Sequence, residues 1–243
     1  MMKKLLRTAM MVAAAMLTTG CAVYNGTSTD IPLFQEKGEL QVEAAFVPLG
    51  VTPIYLLPIP YRGTVSYSLT DEVGISASVD ALRQTVHAMG GIYRPVDRRF
   101  VWELYGGLAL GRGENSNPEN NFSYTGRYLM PFVQVDCGWR DLTRWMHLDV
   151  AFALRAGGIF GSTEYTEYGW DEYSTWVVQQ DSFRGLRPML EPSMEVRFGW
   201  SKLKFNVRFY RIFVLGNEHN HPCNLQDIPA MNGGMGVGMS YQF

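Results

Sequence analysis

The sequence predicts an all-β fold: an antiparallel up-and-down transmembrane β-barrel of ten strands, with eight strands as the alternative. Three observations predict it. Large apolar residues recur at every second position in segment after segment, the two-residue period of a strand with one oily and one wet face. The links between these segments alternate between short and long, as turns and loops do at the two ends of a meandering barrel. Trp102, Trp139, Trp145, Trp200 and Tyr241 all fall near the short-link end, where an interfacial girdle of aromatics belongs.

Residues 1–20 read as an export signal. Lys3, Lys4 and Arg7 form its basic end, and residues 8–17 form an apolar core too short to remain as a membrane-spanning helix. The signal ends at Leu17, Thr18, Thr19, Gly20 and Cys21, a run that resembles the lipobox of bacterial lipoproteins. The resemblance implies that Cys21 is acylated, with palmitate among its chains, and becomes the first residue of the mature protein. Two acyl signals suffice to hold a protein at a membrane surface. Residues 21–37 are then expected to be a lipid-anchored tether, small and polar through Asn25, Gly26, Thr27, Ser28, Thr29 and Asp30. The barrel is assigned to residues 38–243.

The first strand, 39–48, sets Leu40, Val42, Ala44 and Phe46 against Gln41, Glu43 and Ala45. The second, 61–70, alternates Val65, Tyr67 and Leu69 with Arg62, Thr64, Ser66 and Ser68. A tight turn through Asp71 joins it to a third, 73–81, in a hairpin. In the fourth, 85–94, Met89, Gly90 and Gly91 blur the period and suggest a bulge. The fifth, 100–111, turns Trp102, Leu104, Leu108 and Leu110 outward and Glu103, Tyr105 and Ala109 inward. The sixth, 124–139, opposes Leu129, Val133, Val135 and Cys137 to Met130, Phe132, Gln134 and Asp136. The seventh, 145–160, opposes Met146, Leu148, Val150, Phe152 and Leu154 to His147, Asp149, Ala151, Ala153 and Arg155. The eighth spans 189–200 and the ninth 203–215, where Arg211 interrupts the alternation and suggests a bulge or arrival at the headgroups. The tenth is the chain's last strand, in which Met235, Val237, Met239, Tyr241 and Phe243 alternate with small or polar residues.

In that last strand, Gly238, Tyr241 and the C-terminal Phe243 resemble the insertion signal of bacterial outer-membrane β-barrels. Together with the lipobox and the run from Pro32 through Leu33, Phe34, Gln35, Glu36, Lys37, Gly38 and Glu39 to Leu40, it resembles a family of lipid-anchored outer-membrane proteins of Bacteroidota-type bacteria. The resemblance implies the cell outer membrane, an anchor in its periplasmic leaflet, and the barrel-assembly and lipoprotein-sorting machinery and outer-membrane lipid as partners. It transfers no catalytic residue. An even strand count agrees with it by returning Phe243 to the side of Cys21.

A soluble lipocalin-like barrel would place the apolar face inward around a ligand. The charged residues assigned to the interior argue against that, because they suit a polar lumen. Glu191, Glu195 and Arg197 on the eighth strand should lie beside Lys204 and Arg208 on the ninth, a network that would neutralise and plug the barrel. The expected function is therefore a closed, polar-lumen outer-membrane barrel with a surface-exposed binding or structural role. The alternatives are a narrow porin-like channel for ions or small solutes, and a membrane-embedded hydrolase using His147 and Asp149, two apart on one strand face.

No enzyme is expected, since no nucleophile-elbow pattern is present. No cofactor or metal is expected either, since His219, His221 and Cys223 make too sparse a ligand set. Removing the signal's three cations takes the formal charge from −2 to about −5, which excludes nucleic acid as a partner. The long outer segment around 162–184 mixes Tyr165, Tyr168, Trp170, Tyr173 and Trp176 with carboxylates. It is the candidate surface for an extracellular glycan or protein.

Overall fold

The computed structural model describes residues 29–46, 60–81, 84–117, 122–170, 175–214 and 233–243. Ten strands account for nearly all of them: β1 (Leu40–Phe46), β2 (Pro60–Ser68), β3 (Val73–Asp80), β4 (Thr85–Pro95), β5 (Phe100–Asn117), β6 (Phe122–Trp139), β7 (Asp149–Trp170), β8 (Thr175–Gly199), β9 (Leu203–Arg211, resuming at Phe213–Val214 beyond Ile212) and β10 (Gly233–Gln242). Each strand pairs antiparallel with its neighbours in sequence. β10 also pairs with β1, Tyr241 facing Val42 and Val237 facing Phe46, so the sheet closes into a barrel.

Burial follows the pleat. Val65, Ile75, Val79, Val86, Leu104, Leu108, Val133, Val135 and Leu154 are exposed on the outside, while Thr64, Ser66, Ser78, His87, Glu103, Gln134, Asp136 and Arg155 are buried inside. The usual sidedness of a water-soluble protein is inverted, which is the arrangement a barrel adopts when lipid is its solvent. Trp139, Trp145, Trp200, Tyr241 and Phe243 are exposed around the turn end.

Four expectations about the strands are revised. The bulge in the fourth strand is absent, for β3, β4 and β5 keep one unbroken register through Gly90 and Gly91. Gly91 is a close-approach residue instead, since a Cβ there would meet the backbone oxygen of Leu104. Alternation also continues through Arg211, which is exposed on the outer face between inward-facing Tyr210 and Ile212. The seventh strand starts at Asp149, and residues 145–147 form part of the preceding turn. Finally, β7 and β8 extend through most of the segment read as an outer loop, pairing up to Trp170 and Thr175 with one register shift at Glu167/Tyr168.

The segment read as a tether gives the largest revision. Its described part, residues 29–37, enters the barrel: Thr29, Asp30, Ile31, Leu33 and Phe34 are all buried. The chain turns at Gly38, whose φ of 87° lies in the left-handed region that glycine adopts without strain, and Gly38 N–H donates to the Ser68 carbonyl at 3.0 Å. From there, reading backwards, the segment climbs from the turn end to mid-barrel. The physical reason is composition: Ile31, Leu33 and Phe34 carry apolar surface that a solvated tether would leave in water.

Candidate functional site: the barrel interior

Asp30 is the hub of the interior. Its carboxylate receives a guanidinium N–H from Arg62 and the Thr64 hydroxyl at 3.1 Å, and it lies 3.2 Å from His87 Nε2. Arg208 Nη1 stands 3.8 Å away. The Asp30 carbonyl accepts from Gln134 Nε2 at 2.7 Å, the Ile31 carbonyl accepts from Arg197, and the Thr29 hydroxyl bonds that of Ser193. These partners come from β2, β4, β6, β8 and β9, so one short segment ties together strands from around the barrel.

Glu103 on β5 holds the next two residues. Its two carboxylate oxygens accept the backbone N–H groups of Leu33 at 3.1 Å and Phe34 at 2.9 Å, while Arg140 donates to the Leu33 carbonyl at 3.1 Å. Leu33 has φ 57°, a sparsely populated region for a branched side chain, and these three bonds to its peptide groups hold it there. Phe34 packs on Tyr93 with ring centroids 5.4 Å apart. A Cβ on Gly74 would come within 2.5 Å of the Phe34 ring, so a glycine is what leaves room for it.

Sequence reasoning grouped Glu191, Glu195, Arg197, Lys204 and Arg208, and the structure distributes them over three clusters. Arg208 Nη2 reaches Glu195 at 2.8 Å and Glu43 of β1 at 2.9 Å, and Arg197 Nε donates to Glu195 at 2.8 Å. Lys204 turns away to both oxygens of Asp149, each at 2.8 Å. Glu191 lies 3.7 Å from Arg155, which also donates to Gln134 at 2.9 Å and stacks over Phe132 at 4.3 Å. Arg155, Glu191, Glu195 and Glu103 have no exposed surface at all. Charges so buried are tolerable only when paired and hydrogen-bonded.

Beside these charged clusters, Met89, Tyr105, Ala109, Tyr128, Met130, Phe132, Ile159, Met189, Tyr210 and Ile212 form an apolar cluster across the lumen. The Tyr128 hydroxyl meets the Thr85 hydroxyl at 2.9 Å at its edge. The described interior thus combines ionic clusters with an apolar one.

Sequence reasoning placed Glu43 and Gln134 on inward faces and His87 near the lumen, but it did not single out Asp30, Arg62 or Arg140. The available signal was the apolar run of Ile31, Leu33 and Phe34 within a segment otherwise read as solvated.

His147 requires a correction. It lies in the turn between β6 and β7 with φ 42°, about a third exposed, and bonds Asp141 at 2.9 Å outside the lumen. It therefore does not share a strand face with Asp149, and the His147–Asp149 pairing assumed for a hydrolase is absent. Asp141 feels partial burial, which would raise its pKa, but Lys204 and the His147 hydrogen bond hold it below its ordinary value. In the turn between β4 and β5, the backbone N–H groups of Phe100 and Arg99 hold the Asp97 carboxyl low as well.

At the outer end, Tyr165 and Trp170 belong to β7, and Tyr168 is half-buried there. Trp176 is half exposed, its indole lying against Gly169 of the facing strand. Tyr173 lies outside the described residues, as do Cys21, Cys223, His219 and His221. Cys137 has a free thiol on β6. In the terminal strand Tyr241 and Phe243 pack edge to face at 4.7 Å, and a Cβ on Gly238 would strike Ala44 and Asn206.

No protein-family model and no curated protein matches the chain. Among solved structures it is similar to the outer membrane protease OmpT from Escherichia coli, with 10% identity and a TM-score of 0.48, covering 86% of this chain and 94% of that one. It is also similar to the N-terminal β-barrel domain of OprF from Pseudomonas aeruginosa, with 13% identity and a TM-score of 0.30, covering 86% of this chain and 100% of that domain.

Proposed function

We propose that the protein is an outer-membrane barrel lipoprotein that does not conduct, closed by its own N-terminal segment, with its interactions carried by the β7–β8 hairpin outside the membrane. The observation that carries this reading is the burial of residues 29–34 in a lumen whose charged side chains bond their backbone. The apolar outer face and the aromatic girdle support a membrane as the solvent. Cys21 precedes Thr29 by eight residues, a reach of up to about 28 Å. That is enough for an acyl anchor to return to the periplasmic leaflet from mid-barrel. Gly238, Tyr241 and Phe243 act as the insertion signal read by the barrel-assembly machinery. Tyr168 and Trp176 of this hairpin, with Tyr165, Trp170 and Tyr173 close to them in sequence, form the contact surface for a glycan or protein.

The test is electrical. Mature protein refolded in detergent and added to a planar bilayer should insert and remain silent. Steady unitary current steps would overturn the closed-barrel reading in favour of a narrow channel.

A further inference from the structure

On the outer face just above the apolar band, one register level carries Arg112 of β5, Arg127 of β6, Ser162 of β7 and Arg184 of β8 as successive partners across the sheet. All four are exposed. The level two residues nearer the turn end is Leu110, Leu129, Phe160 and Leu186, apolar and exposed throughout. Strands tilted near 40° and rising ~3.3 Å per residue place Arg112 about 25 Å above Trp102, the height of a barrel's lipid-facing band. The arginines therefore stand at the outer headgroup level.

Arg112 and Arg127 are direct cross-strand partners. Like charges in that relation repel one another across a sheet. The next level outward holds Glu114, Thr125, Glu164 and Ser182. With Arg112, Arg127 and Ser162, Glu164 lines an external cleft of about 300 Å³. Glu164 stands on the water side of the arginines. Each guanidinium carries five N–H donors, so one bonded to a carboxylate still has donors to offer on its membrane side.

We propose that Arg112, Arg127 and Arg184 form a clamp for the phosphate groups of a glycolipid in the outer leaflet, with the Ser162 hydroxyl as a further donor. Charge complementarity and the adjoining apolar row together select this occupant, because a lipid-borne phosphate sits where its acyl chains can lie on Leu110, Leu129, Phe160 and Leu186. The inference rests on the outer-membrane reading and is independent of whether the lumen conducts.

The experiment is native mass spectrometry of the full-length protein folded in detergent, titrated with a bisphosphorylated glycolipid of the lipid A type, with the same lipid dephosphorylated, and with inorganic phosphate. Folding is read separately by heat-modifiable migration on gels. The double variant Arg112→Gln/Arg127→Gln should lose about ten-fold or more in affinity, the worth of one or two charge-assisted bonds. The dephosphorylated lipid should bind wild type as weakly. Arg98→Gln/Arg99→Gln, which removes the same charge at the turn end, should change affinity less than about two-fold. Should the double variant fail to fold, Arg184→Gln alone is read against the same lipids. Equal affinity of wild type and clamp variant, an equal loss in the turn variant, or displacement of the lipid by an equal concentration of inorganic phosphate would each overturn the clamp. A barrel that conducts yet binds the phosphorylated lipid through these arginines would overturn only the closed-lumen reading.

Discussion

The half of the barrel near the turns and the half near the loops share the same strands but are stabilised differently. From the turn end to mid-barrel the interior is occupied by residues 29–34, whose backbone and side chains together bond side chains from five of the strands besides β5 and the β6–β7 turn. Toward the loop end the lumen carries apolar Tyr128, Met130, Ile159 and Met189 beside buried Asp80, His87 and Arg187. Four strands, β5 to β8, run 18 to 25 residues, while β1 to β3 run only seven to nine. The lower half is over-determined by interlocking bonds, and the upper extension consists of paired strands with exposed side chains. On the proposed function, closure lies where the barrel is most cross-linked and recognition in the part least coupled to stability.

The sharpest way to break the comparison is Arg208→Met. It leaves Glu43 and Glu195 buried beside each other without their shared cation, and should cost about 3–5 kcal/mol in urea unfolding from detergent. Arg184→Met, on the upper extension, should shift the same curve by less than about 0.5 kcal/mol. Comparable losses would erase the distinction between the halves.

Leu108→Arg, on the exposed outer face, should cost about 2–4 kcal/mol when folding is measured into lipid vesicles, through the penalty of a basic residue near the midplane. A neutral result would return the outer face to water. Gly91→Ala, which forces a Cβ onto Leu104, should cost about 1–3 kcal/mol despite adding one methyl group.

The smallest effect is at the turn. The Asp141 pKa is lowered on folding, so the carboxylate contributes stability above the unfolded value near 3.8 that is lost as pH falls through the folded value. With its side chain half exposed, screening limits this to below about 1 kcal/mol. Asp141→Asn should flatten the acid limb of the stability curve below pH 4 and leave the neutral plateau within that same small margin.

Alternation alone gave the strand sequence, the short turns and the faces of nearly every strand. Two misreadings, at Gly91 and at His147, have local causes. A glycine weakens a period whether it marks a bulge or a close approach, and only the position of the Leu104 carbonyl distinguishes the two. His147 continues the alternation of Asp149 on paper, yet its left-handed backbone belongs to a turn held by Asp141.

The sequence by itself determined that this chain must close a sheet with an oily outside, because a two-residue period with charges on one face has few other ways to satisfy its backbone in lipid. Only the tertiary structure decided what fills the inside. Asp30 meets Arg62, His87 and Gln134 across separations of 32 to 104 residues, and Arg208 meets Glu43 across 165. No local pattern encodes such partners, because they become neighbours only once the curvature of ten strands has brought opposite walls to within a side chain's length of one another.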